Sequence, residues 1–424
     1  MTFTGPRPEE PYQIPELGEG PPIRKIGLRR WLEENLFDGW WNTIVTAVVG
    51  AFLFVAAFRL AEFVFFDARW EIVQRNITNF MVFHFPRAEL WRVWVAMFIL
   101  AAAAGLGVGA AGTRREAEVA EGRGGTPSTA RGLVFRRVAP LAALVVVLLL
   151  ASRSLTAALL TLGVAATAVV FRLLGRGLPA RAFRFVALGV LAGIVAAFLV
   201  IIAFGGVPFD RWGGLLLTVF LAVGGIVISF PLGVLLALGR RSKLPAVKYV
   251  CILYIELIRG VPLITILFMA VFALGFFLPA GTDPPSTVAR ALVGLILFTA
   301  AYVAEIVRGG LQSVPVGQIE AAQALGLSPA KTTRLILLPQ ALRAVIPALV
   351  GQFISLFKDT SLVFVVGLTE LLAVAEIVTQ QADFRAQGLI VETLLFAAFV
   401  YWAGSYWMSR ESQRLEQRLG VGIR

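Results

Sequence analysis

Three short stretches place charges and hydroxyls where the surrounding sequence is almost wholly apolar. Glu256-Leu-Ile-Arg259-Gly260-Val-Pro262 sets opposite charges at i, i+3, a spacing that lets them share a helix face and pair. Gly260 and Pro262 then break or kink that helix, because proline lacks an N–H and clashes with the preceding turn. Lys358-Asp359-Thr360-Ser361 carries two opposite charges and two hydroxyls. Sequence neighbours do not face each other on a helix, so each charge needs a separate partner or a wet cavity. A charge at mid-bilayer costs roughly 2.5–3.5 kcal/mol on insertion scales, which argues against either one facing lipid. Glu305 and Arg308 repeat the i, i+3 arrangement elsewhere. Opposite charges beside hydroxyls suit the two ends of a zwitterionic solute, and Gln352 is a further polar candidate. For each cluster the alternative is an ion pair that only holds helices together.

The elements that carry these residues must be membrane helices. Of the 424 residues, 58% are hydrophobic and only 15% charged, with a mean hydropathy of +0.82. Charge is too scarce for a soluble domain of this size, and apolar runs long enough to span a bilayer recur. The fold class is therefore all-α and polytopic, since helices satisfy their own backbone in lipid. Ten spans are predicted. Five lie at about 41–66, 91–112, 138–152, 155–174 and 183–204. Five more lie at about 213–238, 247–278, 288–307, 342–368 and 389–408.

Four segments follow: a tail with an amphipathic interfacial helix at 1–40, a helical block at 41–206, a second block at 207–410 and a basic tail at 411–424. Within the first, the Pro-, Glu- and Gly-rich residues 1–22 are expected to be disordered. No cleavable signal is visible there, so the first span is expected to direct insertion. With both termini inside, 27 of the 38 Lys and Arg fall in inner loops and 8 in outer ones, the positive-inside pattern. That placement assigns the formal charge of +12 to topology and not to nucleic acid.

One polar island, 314–340, interrupts the second block. Pro315 opens a short helix there, and Gly326 is placed to close it in a left-handed conformation. Ser328 and Pro329 read as the N-cap and first turn of a second helix, which Pro339 is expected to stop near Leu337. Two helices this short need a partner surface.

Glu320-Ala321-Ala322, then Gly326, then Ile336-x-Leu338-Pro339-Gln340 resembles the EAA coupling loop of bacterial ABC importer permeases. The E-L-I-R-G-V-P, A-Y-x-A-E-x-x-R-G-G and F-K-D-T-S-L runs resemble the polar amino-acid permeases of that group, over about 213–408. W-L-x-x-N-L-F at 31–37 and P-R-x-x-L-W-R at 86–92 resemble the extended M-type subunit of general L-amino acid systems.

The resemblance implies a type I permease core of five helices preceded by about five extra ones, in the bacterial inner membrane. It implies an amino-acid importer whose partners are ABC ATPase subunits, a second Q-type permease or another copy, and a periplasmic amino-acid-binding protein. It places Glu320, Ala321, Ala322, Gly326, Leu338, Pro339 and Gln340 at the ATPase contact. Glu256, Arg259, Gly260, Pro262, Glu305, Gln352, Lys358, Asp359, Thr360 and Ser361 are the pathway candidates.

Other chemistry is poorly supported. No G-x-x-x-x-G-K-[ST] occurs, so ATP and Mg are expected on the partner ATPase and no cofactor on this chain. One His and one Cys make a metal centre or an intrachain disulfide unexpected. Gly107-Val-Gly109-Ala-Ala-Gly112 matches a dinucleotide fingerprint but ends an apolar span, so close helix packing is the expectation. A secondary transporter of small polar solutes is the alternative, though the two halves lack the repeat it would show. No nucleophile or acid–base arrangement points to an enzyme.

Overall fold

A computed structural model describes residues 27–120, 145–150, 154–203, 205–279 and 281–419. The expected tail at 1–22 and most of the third predicted span, 138–152, lie outside these residues.

Residues up to Ala68 form one compact unit. It holds α1 (Leu28–Asn35) and α2 (Gly39–Glu62), which continues as a π turn through Asp67. Gly39 has φ +87°, a left-handed conformation that separates α1 from α2. The Thr46 hydroxyl donates to the Leu36 carbonyl at 2.7 Å across that break. Trp40 and Trp41 are exposed at the start of α2, as expected for a membrane-interface belt.

The second unit runs from Arg69 and takes in the rest of the first block as well as the second. Its first elements are α3 (Glu71–Val82), α4 (Leu90–Ala120), α5 (Leu155–Arg176) and α6 (Phe183–Ile202). Helices α4 and α5 approach backbone to backbone. A Cβ added at Gly105 would sit 2.3 Å from the Ala168 carbonyl, one at Gly109 2.3 Å from that of Arg172, and one at Gly175 2.5 Å from that of Leu106. This is the close packing expected of the glycine run, built from Gly109 and its neighbour one turn earlier.

The second block comprises α7 (Gly214–Arg240), α8 (Pro245–Arg259), α9 (Leu263–Phe268), α10 (Thr287–Ser313), α11 (Val316–Ala324), α12 (Pro329–Thr332), α13 (Leu338–Asp359), α14 (Leu371–Ile377) and α15 (Ile390–Leu419). Among the described residues eight helices are long and apolar enough to cross a membrane, or nine if the bent pair α8 and α9 counts as one. The tenth expected span is the one outside the described residues.

Three buried clusters hold this unit together. At the end carrying 314–340, Ala237, Ile255, Val303, Val307, Leu311, Leu337 and Ala341 join α7, α8, α10 and α13. In the middle, Ala96 and Ile201 of the first block meet Trp212, Leu217, Leu267, Leu295, Leu356 and Val363. At the far end, Ile72 and Phe80 of α3 are buried among Leu371, Val374, Val378 and Phe396. A reciprocal amide pair adds specificity there: Asn76 donates to Gln381 at 3.1 Å and Gln381 donates back at 2.7 Å. The amphipathic α3 thus belongs to the packing of α14 and α15, a role its sequence did not suggest.

Candidate functional site

The polar island forms the expected pair of short helices. Pro315 is the N-cap of α11, Gly326 ends it at φ +73°, and the Ser328 hydroxyl caps α12 by accepting from the Lys331 N–H at 3.5 Å. Pro339 does not stop the second helix. Residues Thr333–Leu337 form a π turn that runs directly into α13, with Pro339 in its first turn. The wider π ladder accommodates the missing N–H and the ring that would otherwise clash with the preceding turn.

Glu320 and Ala321 are exposed, whereas Ala322 is buried beneath them. Val316 and Leu325 project as apolar knobs, Leu325 with 81% exposure. Gln340 donates to Gln318 at 3.4 Å and to the Ile336 carbonyl at 3.0 Å, tying the two arms together; Leu338 is half-buried and Pro339 exposed. The surface so built has a carboxylate, a protruding leucine and a braced turn, which fits a groove on a partner protein.

Gly260 and Pro262 break the second core span sharply: α8 and α9 meet at 110°. Their charges do not pair with each other as i, i+3 spacing allowed. Glu256 pairs with Arg240 of α7 at 2.9 Å, and Arg259 with Glu305 of α10 at 3.7 Å. Arg240 also lies 3.7 Å from Glu305, which is bound more closely still by Arg308 on its own helix. The Arg259 guanidinium sits over the Tyr302 ring, 5.6 Å from its centroid. Five charges from three helices therefore form one network, with two of them on the helix that leads into 314–340. The break at Gly260 and Pro262 leaves Arg259 as the last residue of α8, facing α10.

Lys358 and Asp359 differ. Among the described residues neither side chain has a salt bridge or hydrogen-bond partner, although Lys358 is exposed and Asp359 half-buried. Here α13 tightens into a 3-10 segment, Thr360–Val366, which Gly367 ends at φ +87°. Thr360 is buried and donates to the Phe357 carbonyl at 2.7 Å, so that hydroxyl serves the helix. Ser361 and Gln352 are half-buried. Leu263 and Leu267, just past the break, share a buried cluster with Leu356 and Val363. The structure thus brings the broken helix against the segment that carries the unpaired charges, and keeps Glu256, Arg259 and Glu305 in a separate group.

Two residues escaped the sequence reading. Arg240 reads as one of several loop cations, and nothing local marks it as a partner for two acids. Glu370 is fully buried and caps α14, accepting from the Leu372 N–H at 2.7 Å and the Ala373 N–H at 2.8 Å. Tyr401 donates to it at 2.9 Å, and the Leu371 N–H reaches Thr218 at 3.2 Å. Burial pushes this carboxyl up to about 7, against the pull of those hydrogen bonds. An acid placed before an apolar helix was the available signal.

The family model described as binding-protein-dependent transport system inner membrane component matches residues 229–421. Over 431 aligned residues the chain is 34% identical to the glutamate/glutamine/aspartate/asparagine transport system permease protein BztC of Rhodobacter capsulatus, covering 94% of this chain and 95% of that one. It is 50% identical over 212 residues to the inner membrane amino-acid ABC transporter permease protein YhdY of Escherichia coli, covering 50% of this chain and 57% of that relative. The crystal structure of an amino acid ABC transporter with histidines aligns at 33% identity over 48% of this chain and 92% of its own, with a TM-score of 0.43.

Proposed function

The chain belongs to the family of binding-protein-dependent transport system inner membrane components, and from that premise we propose that it is a permease subunit of an ATP-driven amino-acid importer. The observation that carries the proposal is the braced helix pair at 314–340, exposed at one end of the bundle and continuous with a transmembrane helix. The unpaired Lys358 and Asp359 on that same helix supply complementary charges for a zwitterionic amino acid.

In this reading the coupling loop and both termini face the cytoplasm. ATP is bound and hydrolysed by a separate ATPase whose groove receives α11, with Glu320 and Leu325 in contact. A second permease subunit completes the pathway, and a secreted binding protein delivers the solute from outside. This chain performs no bond chemistry; it alternates between two states. Closure of the ATPase dimer must favour one of those states over the other, and only that differential interaction moves the equilibrium.

The test is reconstitution in vesicles with a partner ATPase and binding protein. Amino-acid uptake and ATP hydrolysis are measured together. Uptake that requires all the components supports the proposal. Uptake by this chain alone, driven by an ion gradient and insensitive to ATP, overturns it in favour of a secondary transporter.

A further inference from the structure

We infer that Glu305 is the positioning residue through which the coupling loop sets the angle of the broken helix, an inference that rests on the permease reading above. The argument begins with connectivity. Helix α10 carries Glu305 and runs on to Ser313, after which Val314 and Pro315 lead directly into α11. Glu305 is about two turns before the end of α10, so any displacement of the loop that moves α10 moves this carboxylate.

The partners differ in what they report. Arg308 lies on α10 itself and binds both carboxylate oxygens, so that pair survives any rigid movement of the helix. Arg240 ends α7 and Arg259 ends α8, and both reach the same oxygen, Oε2, at 3.7 Å. These contacts are longer than charge-assisted hydrogen bonds, so a small shift either tightens them or lets them go. The intrahelical pair holds the carboxylate in one orientation, and the interhelical pairs sense where α10 stands.

What they sense is the break. Arg259 is the last residue of α8, directly before Gly260 and the 110° turn into α9. Two features of α10 grip its guanidinium, the Glu305 carboxylate and the Tyr302 ring. Its Nε is buried without a hydrogen-bond partner, so the guanidinium is held by these two groups and is not otherwise anchored. The neighbouring hydrogen bond from the Tyr254 hydroxyl to the Leu297 carbonyl, at 2.7 Å, keeps the body of α8 against α10. Movement at Glu305 therefore swings the end of α8, and with it α9, whose Leu263 and Leu267 pack with Leu356 and Val363 on either side of Lys358 and Asp359.

Electrostatics make the site unforgiving. Three guanidiniums are balanced by two carboxylates, and Glu256 is the more exposed of these, with 55% of its side chain accessible. Among the described residues Glu305 is the one acid paired with Arg259, while Glu256 pairs with Arg240.

The experiment uses the assembled complex in vesicles. Its readouts are solute uptake and the ratio of ATP hydrolysis with loaded binding protein to hydrolysis without it. Glu305→Gln is expected to lower that ratio at least fivefold and uptake at least tenfold in complexes that retain the ATPase. Arg259→Gln should give the same phenotype, and the double variant should be no worse than either single one, since both remove the same link. Arg259→Lys keeps the charge but loses the planar fork, and is expected to fall in between. Arg308→Gln should be milder than Glu305→Gln, because its pair does not cross between helices. If Glu305→Gln fails to assemble, Arg259→Lys carries the test alone.

A stimulation ratio and uptake within twofold of wild type in assembled Glu305→Gln or Arg259→Lys overturns the assignment. Additive losses in the double variant overturn it as well. A wild-type chain that shows no stimulated hydrolysis with any partner fails at the earlier stage and speaks against the permease reading instead.

Discussion

Two groups of charges lie within the second helical block, and they are built on opposite plans. Around Glu305 every acid has an arginine on another helix, and the partners span α7, α8 and α10. At Lys358 and Asp359 two charges stand side by side on one helix, and among the described residues neither side chain has a salt bridge or hydrogen bond to another helix. Pairing fixes geometry, so the first group suits the transmission of movement. Asp359 is half-buried without a cross-helix partner, and a charge in an apolar setting is costly to keep. The difference separates a cross-braced group from an unbraced one, although sequence motifs alone placed both groups in one pathway.

The largest expected effect follows from removing an unmet charge. Asp359→Asn is expected to lower uptake more than tenfold while the complex still assembles, because the side chain has no ion pair to lose. Uptake by purified, assembled complex measures this. Failure to assemble with no transport-specific loss would move Asp359 into the structural class and erase the contrast.

The second effect is at the coupling surface. Glu320→Lys reverses an exposed charge, and Gly326→Asp forces a side chain into a left-handed turn at φ +73°. The space around Gly326 is open, so the cost is conformational, about 1–2 kcal/mol, and is confined to the loop. Both should weaken capture of the ATPase several-fold in a pull-down, with membrane insertion intact. Normal capture together with normal stimulated hydrolysis in both variants would remove the coupling assignment.

Glu370 offers a third arrangement, a buried acid met by neutral donors only. The folded protein holds its proton up to about pH 7, whereas the ordinary value for the unfolded chain is 4.5. The folded state therefore binds more protons between those values, and stability falls as the pH rises through that window. Glu370→Gln keeps the acceptor for the cap and removes the charge. It should flatten the pH dependence and raise stability at pH 8 by on the order of 2 kcal/mol, measured by thermal unfolding in detergent. A wild type whose midpoint is unchanged between pH 5 and pH 8 would contradict this.

The smallest effect is expected where no charge is involved. Asn76→Ala leaves the Gln381 amide with one partner fewer, at a cost of about 1 kcal/mol. The same thermal measurement should show a shift of about one degree, with no change in solute per ATP. A change in that ratio would extend the mechanical role to α3.

Much of this architecture was legible from local rules. Apolar runs announced the spans, and Pro315, Gly326 and Ser328 marked the two short helices because each has a specific backbone consequence. The break at Gly260–Pro262 was visible for the same reason. What local rules missed was relational. Spacing permitted a Glu256–Arg259 pair, but Arg240 and Glu305 offered better geometry from neighbouring helices, and no one-dimensional pattern encodes which helices are neighbours. Pro339 misled because its clash is relieved by a π turn, and a π turn has no composition of its own. Glu370 was passed over because a buried acid looks like a loop residue until Thr218 and Tyr401 are seen beside it.

The helical path from Pro329 to Val366 has a consequence for scale. Ser328 and Lys358 are about 45 Å apart along it at the usual rise per residue. A path of that length converts a tilt of about 5° at one end into about 4 Å of travel at the other, roughly three-quarters of a helical turn. A small tilt at the 314–340 end therefore suffices to displace Lys358 and Asp359 by a distance comparable to a side chain. The π turn at Thr333–Leu337 carries the helix past Pro339, and the one interior proline of α13, Pro347, is where the path can bend.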